Sequence, residues 1–192
     1  MVIQNTTMDD RQKLKKLILS RSFQQGSLYR TPAKTVHNYF DFLEISLKHK
    51  GVQLTSNLVH EQLKDLDIVA IGGPGDGIKS ILCRVAYLME IGVFYIRDSM
   101  RKEGDMHAPK WIESRIKPGD KVALVGDVLS SGSQMIRAIE EVMQFGALIE
   151  KVVVVIDSEE GDGLTKIQQF LKTNLLNTPV EIIFTRTELI DS

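Results

Sequence analysis

The residue types and spacings best suited to chemistry lie at 122–134, VALVGDVLSSGSQ. An apolar run ends at Gly126. A carboxylate follows at Asp127, then Val128 and Leu129, two hydroxyls at Ser130 and Ser131, Gly132 and Ser133, and then a helix-periodic stretch. A strand that feeds a small polar loop and a helix start aims backbone N–H groups and the positive end of a helix dipole into that loop. Small hydroxyl side chains and glycine let a phosphate come close, and Asp127 is placed to accept hydrogen bonds from sugar hydroxyls. The chemistry indicated is phosphosugar binding. The plainer reading is a strand-to-helix loop with a helix cap, in which serine and aspartate are common.

A second loop, GGPGDGIKS at 72–80, contains Gly73, Pro74, Gly75, Asp76 and Gly77 and opens another helix pattern. Its glycines permit positive φ and close backbone approach, as in a phosphate cradle. A Walker A loop needs lysine directly after the last glycine, but Ile78 precedes Lys79, and one residue turns a helical side chain by about 100°. The dinucleotide fingerprint GxGxxG fails as well, because its third glycine position is Ile78. Two such loops after two core strands of one sheet suit the two phosphorylated ends of one ligand.

Residues 97–115 carry Arg97, Arg101, Lys102, His107 and Lys110, cations able to neutralise a polyanion, diluted by Glu103 and Asp105. A solvated surface loop is the alternative. The segment 157–163, DSEEGDG, either lines the same edge or caps the helix after it. His37, His49 and His60 have no metal or triad spacing, so no protein metal site is expected, and no GxSxG elbow supports nucleophilic hydrolysis.

Five apolar runs must position these loops: 67–72, 92–96, 121–125, 151–156 and 180–184. They are short and continuous, the pattern of strands covered on both faces. Helical stripes lie between them, at Ile78, Ile81, Leu82 and Val85, at Met135, Ile136, Ile139 and Val142, and at Leu164, Ile167, Phe170 and Leu171. Gly92 and Gly146 read as helix stops. The predicted fold is α/β, an open, mainly parallel five-stranded sheet flanked by helices, with ligands at the carboxyl ends of the strands.

Residues 1–66 read as a small N-terminal hood on the same single domain, with a helix over 9–22, a loop over 24–36, a strand over 39–47 and a helix over 55–66. A chain of 192 residues fits one domain. A net charge of −1 excludes a broad nucleic-acid footprint. No apolar run approaches the roughly 20 residues of a membrane span, and MVIQNTTMDDRQ lacks the pattern of a signal peptide. The single cysteine, Cys83, reads as a small buried hydrophobe, and without a disulfide framework the cytoplasm is the expected setting.

Set together, these segments resemble the type I phosphoribosyltransferase family, most of all its orotate-using members, over roughly residues 9–190. The family signature is two acids, an apolar pair, then Thr-Thr-Gly-Gly-Ser or similar. Here Asp127, Val128, Leu129, Ser130, Ser131 and Gly132 match it, while Gly126 replaces the first acid. Gly73–Gly77 matches the family's pyrophosphate loop. YIRDSMRKEGDMHAPKWIES resembles the mobile catalytic loop: Arg97 and Gly104 match, Arg101 takes a lysine position, Asp98 replaces a lysine, and Glu103 stands where histidine is expected. VVVVIDSEEG resembles the segment Val-x-Asp-Arg-x-Glu-Gly, with Ser158 at the position of an orotate-contacting arginine. NYFDF resembles the aromatic pair beside the base.

The resemblance implies transfer of the phosphoribosyl group of 5-phosphoribosyl 1-pyrophosphate to a pyrimidine base, orotate, with Mg²⁺ and within a homodimer. It implies that Gly73–Gly77, Asp127 and Val128–Ser133 bind the phosphoribosyl donor. Asp127, Arg97, Arg101 and Lys102 carry catalysis, and Tyr39, Phe40 and Ser158 border the base. Gly126, Glu103 and Ser158 keep open a second reading, a module of the same fold that binds phosphoribosyl pyrophosphate or a nucleotide without turnover.

Overall fold

Two-sided burial decides the architecture. The computed structural model describes residues 2–31, 34–96, 112–113 and 116–191, with side chains at 9–24, 39–96, 112 and 116–191. The sheet strands are β3 (Ala70–Gly73), β4 (Gly92–Ile96), β5 (Ile112–Glu113), β6 (Lys121–Leu129), β7 (Leu148–Asp157) and β8 (Val180–Thr185). They follow the order β5-β4-β3-β6-β7-β8. Five are mutually parallel, as expected from the apolar runs, and the two-residue β5 pairs antiparallel with β4 at one edge.

In β6, Ala123 and Val125 enter one hydrophobic core and Val122 and Leu124 the other, all four fully buried. A strand buried on both faces has no polar side to show, hence the unbroken apolar run. The first core holds α1 (Val2–Leu17), α3 (His49–Leu63), α4 (Lys79–Met89) and α7 (Arg186–Ile190), through residues such as Leu14, Leu58, Leu82 and Leu189. The second holds α5 (Ser133–Phe145) and α6 (Gly163–Thr173), through Ile139 and Ile167 among others.

Several local expectations are corrected. In place of the loop expected over 24–36, the described residues form an antiparallel hairpin of β1 (Phe23–Thr31) and β2 (Lys34–Phe40), and of the expected strand over 39–47 only 39–40 are strand, with the short helix α2 (Leu43–Ser46) following. The helix expected over 9–22 is α1 followed by a π-helical turn, Ile18–Ser22. Leu14, Ile18, Leu54, Val59 and Leu63 share the core of the sheet, so the first 66 residues contribute more to it than a cap would.

Gly92 does not stop α4. Glu90 does, in the left-handed region at φ 57°, and Gly92 begins β4. Gly146 does close α5, at φ 90°. Cys83 is exposed, because the buried stripe of α4 runs through Ile81, Leu82, Val85 and Ala86 and leaves position 83 on the opposite side. No helix among the described residues is long and apolar enough to cross a membrane.

Candidate functional site

β3 lies between β4 and β6, and the chain leaves β3 and β6 in opposite directions. After β3 it turns into α4 on one face, and after β6 into α5 on the other. Loops that diverge from neighbouring parallel strands leave a crevice at their carboxyl ends, the usual ligand position in such sheets. Two adjoining cavities of about 240 and 280 Å³ open there, and Asp127, Val128, Ser130 and Gln134 border both.

Most of the residues singled out from the sequence meet at this crevice. Tyr39, Phe40, Gly75, Asp76, Gly77 and Ser158 line the first cavity. Pro74, Leu129, Ser131, Gly132 and Ser133 line the second. Gly73 lines neither. It is pressed against β6, where a Cβ would stand 1.8 Å from the Val125 carbonyl oxygen, so its role is strand packing. Arg97, Arg101 and Lys102 lie outside the described residues.

Sequence reasoning missed Asp41, Phe42, Leu43, Gln134 and Glu160, which also line the cavities. Asp41 and Phe42 stood inside the quoted NYFDF stretch, Glu160 inside DSEEGDG, and Gln134 ended the opening one. Leu43 carried no signal beyond adjacency.

The two loops touch. A Cβ on Gly77 would lie 2.1 Å from Oδ2 of Asp127, so the glycine loop and the carboxylate are packed one on the other. Oδ1 of Asp127 accepts the Val128 N–H at 2.8 Å. β6 runs on past Gly126 to Leu129, still paired with β7. At the missing first acid, a Cβ on Gly126 would lie 2.8 Å from the Met135 methyl. Thioether and glycine thus fill a place that a carboxylate would occupy.

Helix α5 starts at Gly132, in the left-handed region at φ 79°, and no side chain caps it. The capping role weighed for the serines is therefore not taken up at the first turn of α5. The Ser131 and Ser133 hydroxyls lie 3.0 Å apart at the mouth of this turn. The Ser130 hydroxyl instead donates to the Glu160 carbonyl at 2.8 Å. The next loop is anchored below: the Glu159 carboxylate accepts from the Thr187 N–H at 2.7 Å and from its hydroxyl at 2.6 Å, beside Arg186.

Burial raises the Asp157 carboxyl above its ordinary range, against the lowering effect of the Glu159 N–H that it accepts. Lys79 pairs with Asp76 and lies 5.9 Å from the centre of the Tyr95 ring. Its ammonium is thus engaged by a carboxylate of the glycine loop and by the ring face. The Tyr95 phenol is pushed up to about 12 by its hydrogen bond with Cys83 and by burial.

Among the described residues no group of three or more His, Cys, Asp or Glu is placed to hold a metal ion. Asp76 and Asp127 do border one cavity. One or two carboxylates of this kind suit Mg²⁺ that keeps waters and shares phosphate oxygens with a substrate.

No family model matches the chain. Curated relatives do. The orotate phosphoribosyltransferase of Pyrococcus abyssi is 30% identical over 79% of this chain and 83% of its own length. That of Methanocaldococcus jannaschii is 28% identical over 92% and 93%. Among solved structures, the orotate phosphoribosyltransferase of Mycobacterium tuberculosis H37Rv in complex with 5-phospho-α-D-ribosyl 1-diphosphate matches with a TM-score of 0.71. It is 20% identical, and the match covers 94% of this chain and 98% of that one.

Proposed function

The chain belongs to the orotate phosphoribosyltransferase family, and from that premise we propose that the crevice transfers phosphoribosyl from 5-phosphoribosyl 1-pyrophosphate to orotate. A ring nitrogen of the base, giving up its N–H proton to solvent, bonds to the anomeric carbon. The bond from that carbon to the pyrophosphate oxygen breaks, and its electron pair leaves with pyrophosphate. The observation that carries the reading is the packing of Gly77 on Asp127, which joins the two loops into one two-ended grip.

In this reading the uncapped turn of α5 receives the sugar's terminal phosphate on the N–H groups of Ser130–Ser133, with the Ser131 and Ser133 hydroxyls beside it. Backbone N–H groups suit this task because they are fixed before the ligand arrives. Val128 and Leu129 extend β6 beneath the ribose. Asp127 accepts from the ribose hydroxyls and steadies the positive charge that grows at the sugar ring as the leaving bond lengthens. Pro74–Gly77 hold the pyrophosphate end, with Gly73 fixing the loop's root on β6.

Mg²⁺, held by Asp127 and Asp76 together with the substrate's own oxygens, would supply charge neutralisation on the leaving group. Arg97, Arg101 and Lys102 are assigned to the same task by resemblance alone. The aromatic residues Tyr39 and Phe40 border the base. Residues 1–66 serve as the hood of the one domain, and the working form is a cytoplasmic homodimer.

The test is pyrophosphate release from phosphoribosyl pyrophosphate with Mg²⁺ and orotate, set beside calorimetric binding of the same donor. Release that depends on orotate is expected. Binding without release for any base overturns transfer and leaves the binding module, a result that the carboxylate-free position at Gly126 would then explain. An absence of binding overturns the site.

A further inference from the structure

The next step rests on the reading of 130–133 as the seat of the sugar's terminal phosphate. Ser158 borders the cavity that holds Tyr39 and Phe40, yet it is only 3% exposed and its hydroxyl is turned into protein. That hydroxyl donates to the Leu129 carbonyl at 2.8 Å, and the Ser158 N–H donates to the same oxygen at 2.9 Å. Leu129 is the last residue of β6, directly before the phosphate loop. Its carbonyl and the Ser130 N–H belong to one planar peptide unit, so fixing the first fixes the direction of the second.

The tie runs both ways. The Ser130 hydroxyl donates to the Glu160 carbonyl at 2.8 Å, and the Glu160 N–H reaches the Ser158 hydroxyl at 3.4 Å. The two loops also lie backbone on backbone, since a Cβ on Gly163 would stand 2.3 Å from the Ser130 carbonyl oxygen. We infer that Ser158 is a positioning residue for the phosphate loop and not a contact to the base: through the Leu129–Ser130 peptide its hydroxyl aims the first N–H of the anion seat. A hydroxyl with a buried carbonyl as its partner has no donor left for a substrate carboxylate.

The experiment compares Ser158→Ala and Ser158→Thr with the parent in two measurements: KM for each substrate, and amide hydrogen exchange at 130–133 without ligand. Ser158→Ala is expected to raise KM for phosphoribosyl pyrophosphate about five- to tenfold, the worth of one buried hydrogen bond. It should leave KM for orotate unchanged and speed exchange at 130–133. Ser158→Thr, which keeps the hydroxyl, restores both.

A rise in the orotate KM with the donor KM and the exchange unchanged overturns the inference and makes Ser158 a base contact. If the parent does not use phosphoribosyl pyrophosphate at all, the proposed function fails, and the exchange measurement still decides this point: faster exchange supports the tie, unchanged exchange overturns it. Should Ser158→Ala not fold, Ser130→Ala removes the reciprocal bond from a less buried position, and the same readings of exchange and donor KM apply.

Discussion

Replacing Gly77 by alanine sets a single methyl against the carboxylate of Asp127. The added Cβ would lie 2.1 Å from Oδ2 and 3.2 Å from Cγ. Non-bonded carbon and oxygen rest at about 3.3 Å, so the oxygen must retreat by about 1 Å. Gly77 is not among the residues at positive φ, so alanine suits its backbone and the collision is the whole perturbation. Asp127 borders open cavity, and its carboxylate can turn into that space.

Stability should therefore change little, while the group that orients the ribose is displaced. Misplacing an orienting group by about 1 Å costs on the order of 10²-fold in rate, or about 2.7 kcal/mol in activation free energy. The assay is kcat/KM for pyrophosphate release, run beside a thermal melt, in a cycle with Asp127→Ala. Without the carboxylate there is nothing to collide with, so Gly77→Ala should then have no further effect. Unchanged kcat/KM in the single variant, or an equal further loss in the Asp127→Ala background, refutes the reasoning.

Three further outcomes are expected. Chemical denaturation should rank two other glycines far apart: Gly73→Ala meets the backbone of β6 and should lose about 3 kcal/mol or more, whereas Gly126→Ala meets the movable end of Met135 and should lose under about 1 kcal/mol. For Asp157, a folded-state pKa above the unfolded one means that the carboxylate destabilises the fold once ionised, a penalty absent below the unfolded value and complete above the folded one. Asp157→Asn, which keeps an acceptor for the Glu159 N–H, should raise Tm at pH 7, and the gain should vanish below about pH 4; a gain that persists in acid would contradict the burial argument. An absorbance titration of the four tyrosines should show one ionising late, near pH 12, and Cys83→Ala should bring it down toward the others.

The sheet was legible because a strand buried on two faces must be apolar throughout, as 151–156 is. The hairpin was not, because residues 24–36 are polar and contain a proline, and their ladder is held by backbone pairing that leaves no side-chain period. Cys83 misled because an apolar helix was read as a whole, when only the stripe one side of it is buried.

At the site, the two phosphate loops announced themselves by composition. What joins them did not. The Gly77–Asp127 packing brings together residues fifty positions apart, and the Ser158–Leu129 bond converts a residue named for the base into a brace for another loop. Glycine and serine are chosen there for what approaches them, a fact carried by the partner and not by the residue.

The two loops have different parentage: α4 is rooted in one hydrophobic core and α5 in the other, with the sheet as the partition between them. A phosphosugar held at both ends would act as a rivet through that partition. At a hundredfold excess over Kd such a ligand adds about 2.7 kcal/mol to the folded state, and the gain would be shared by both halves at once. Protection against proteolysis or amide exchange should then rise together in α4 and α5, two helices rooted in different cores.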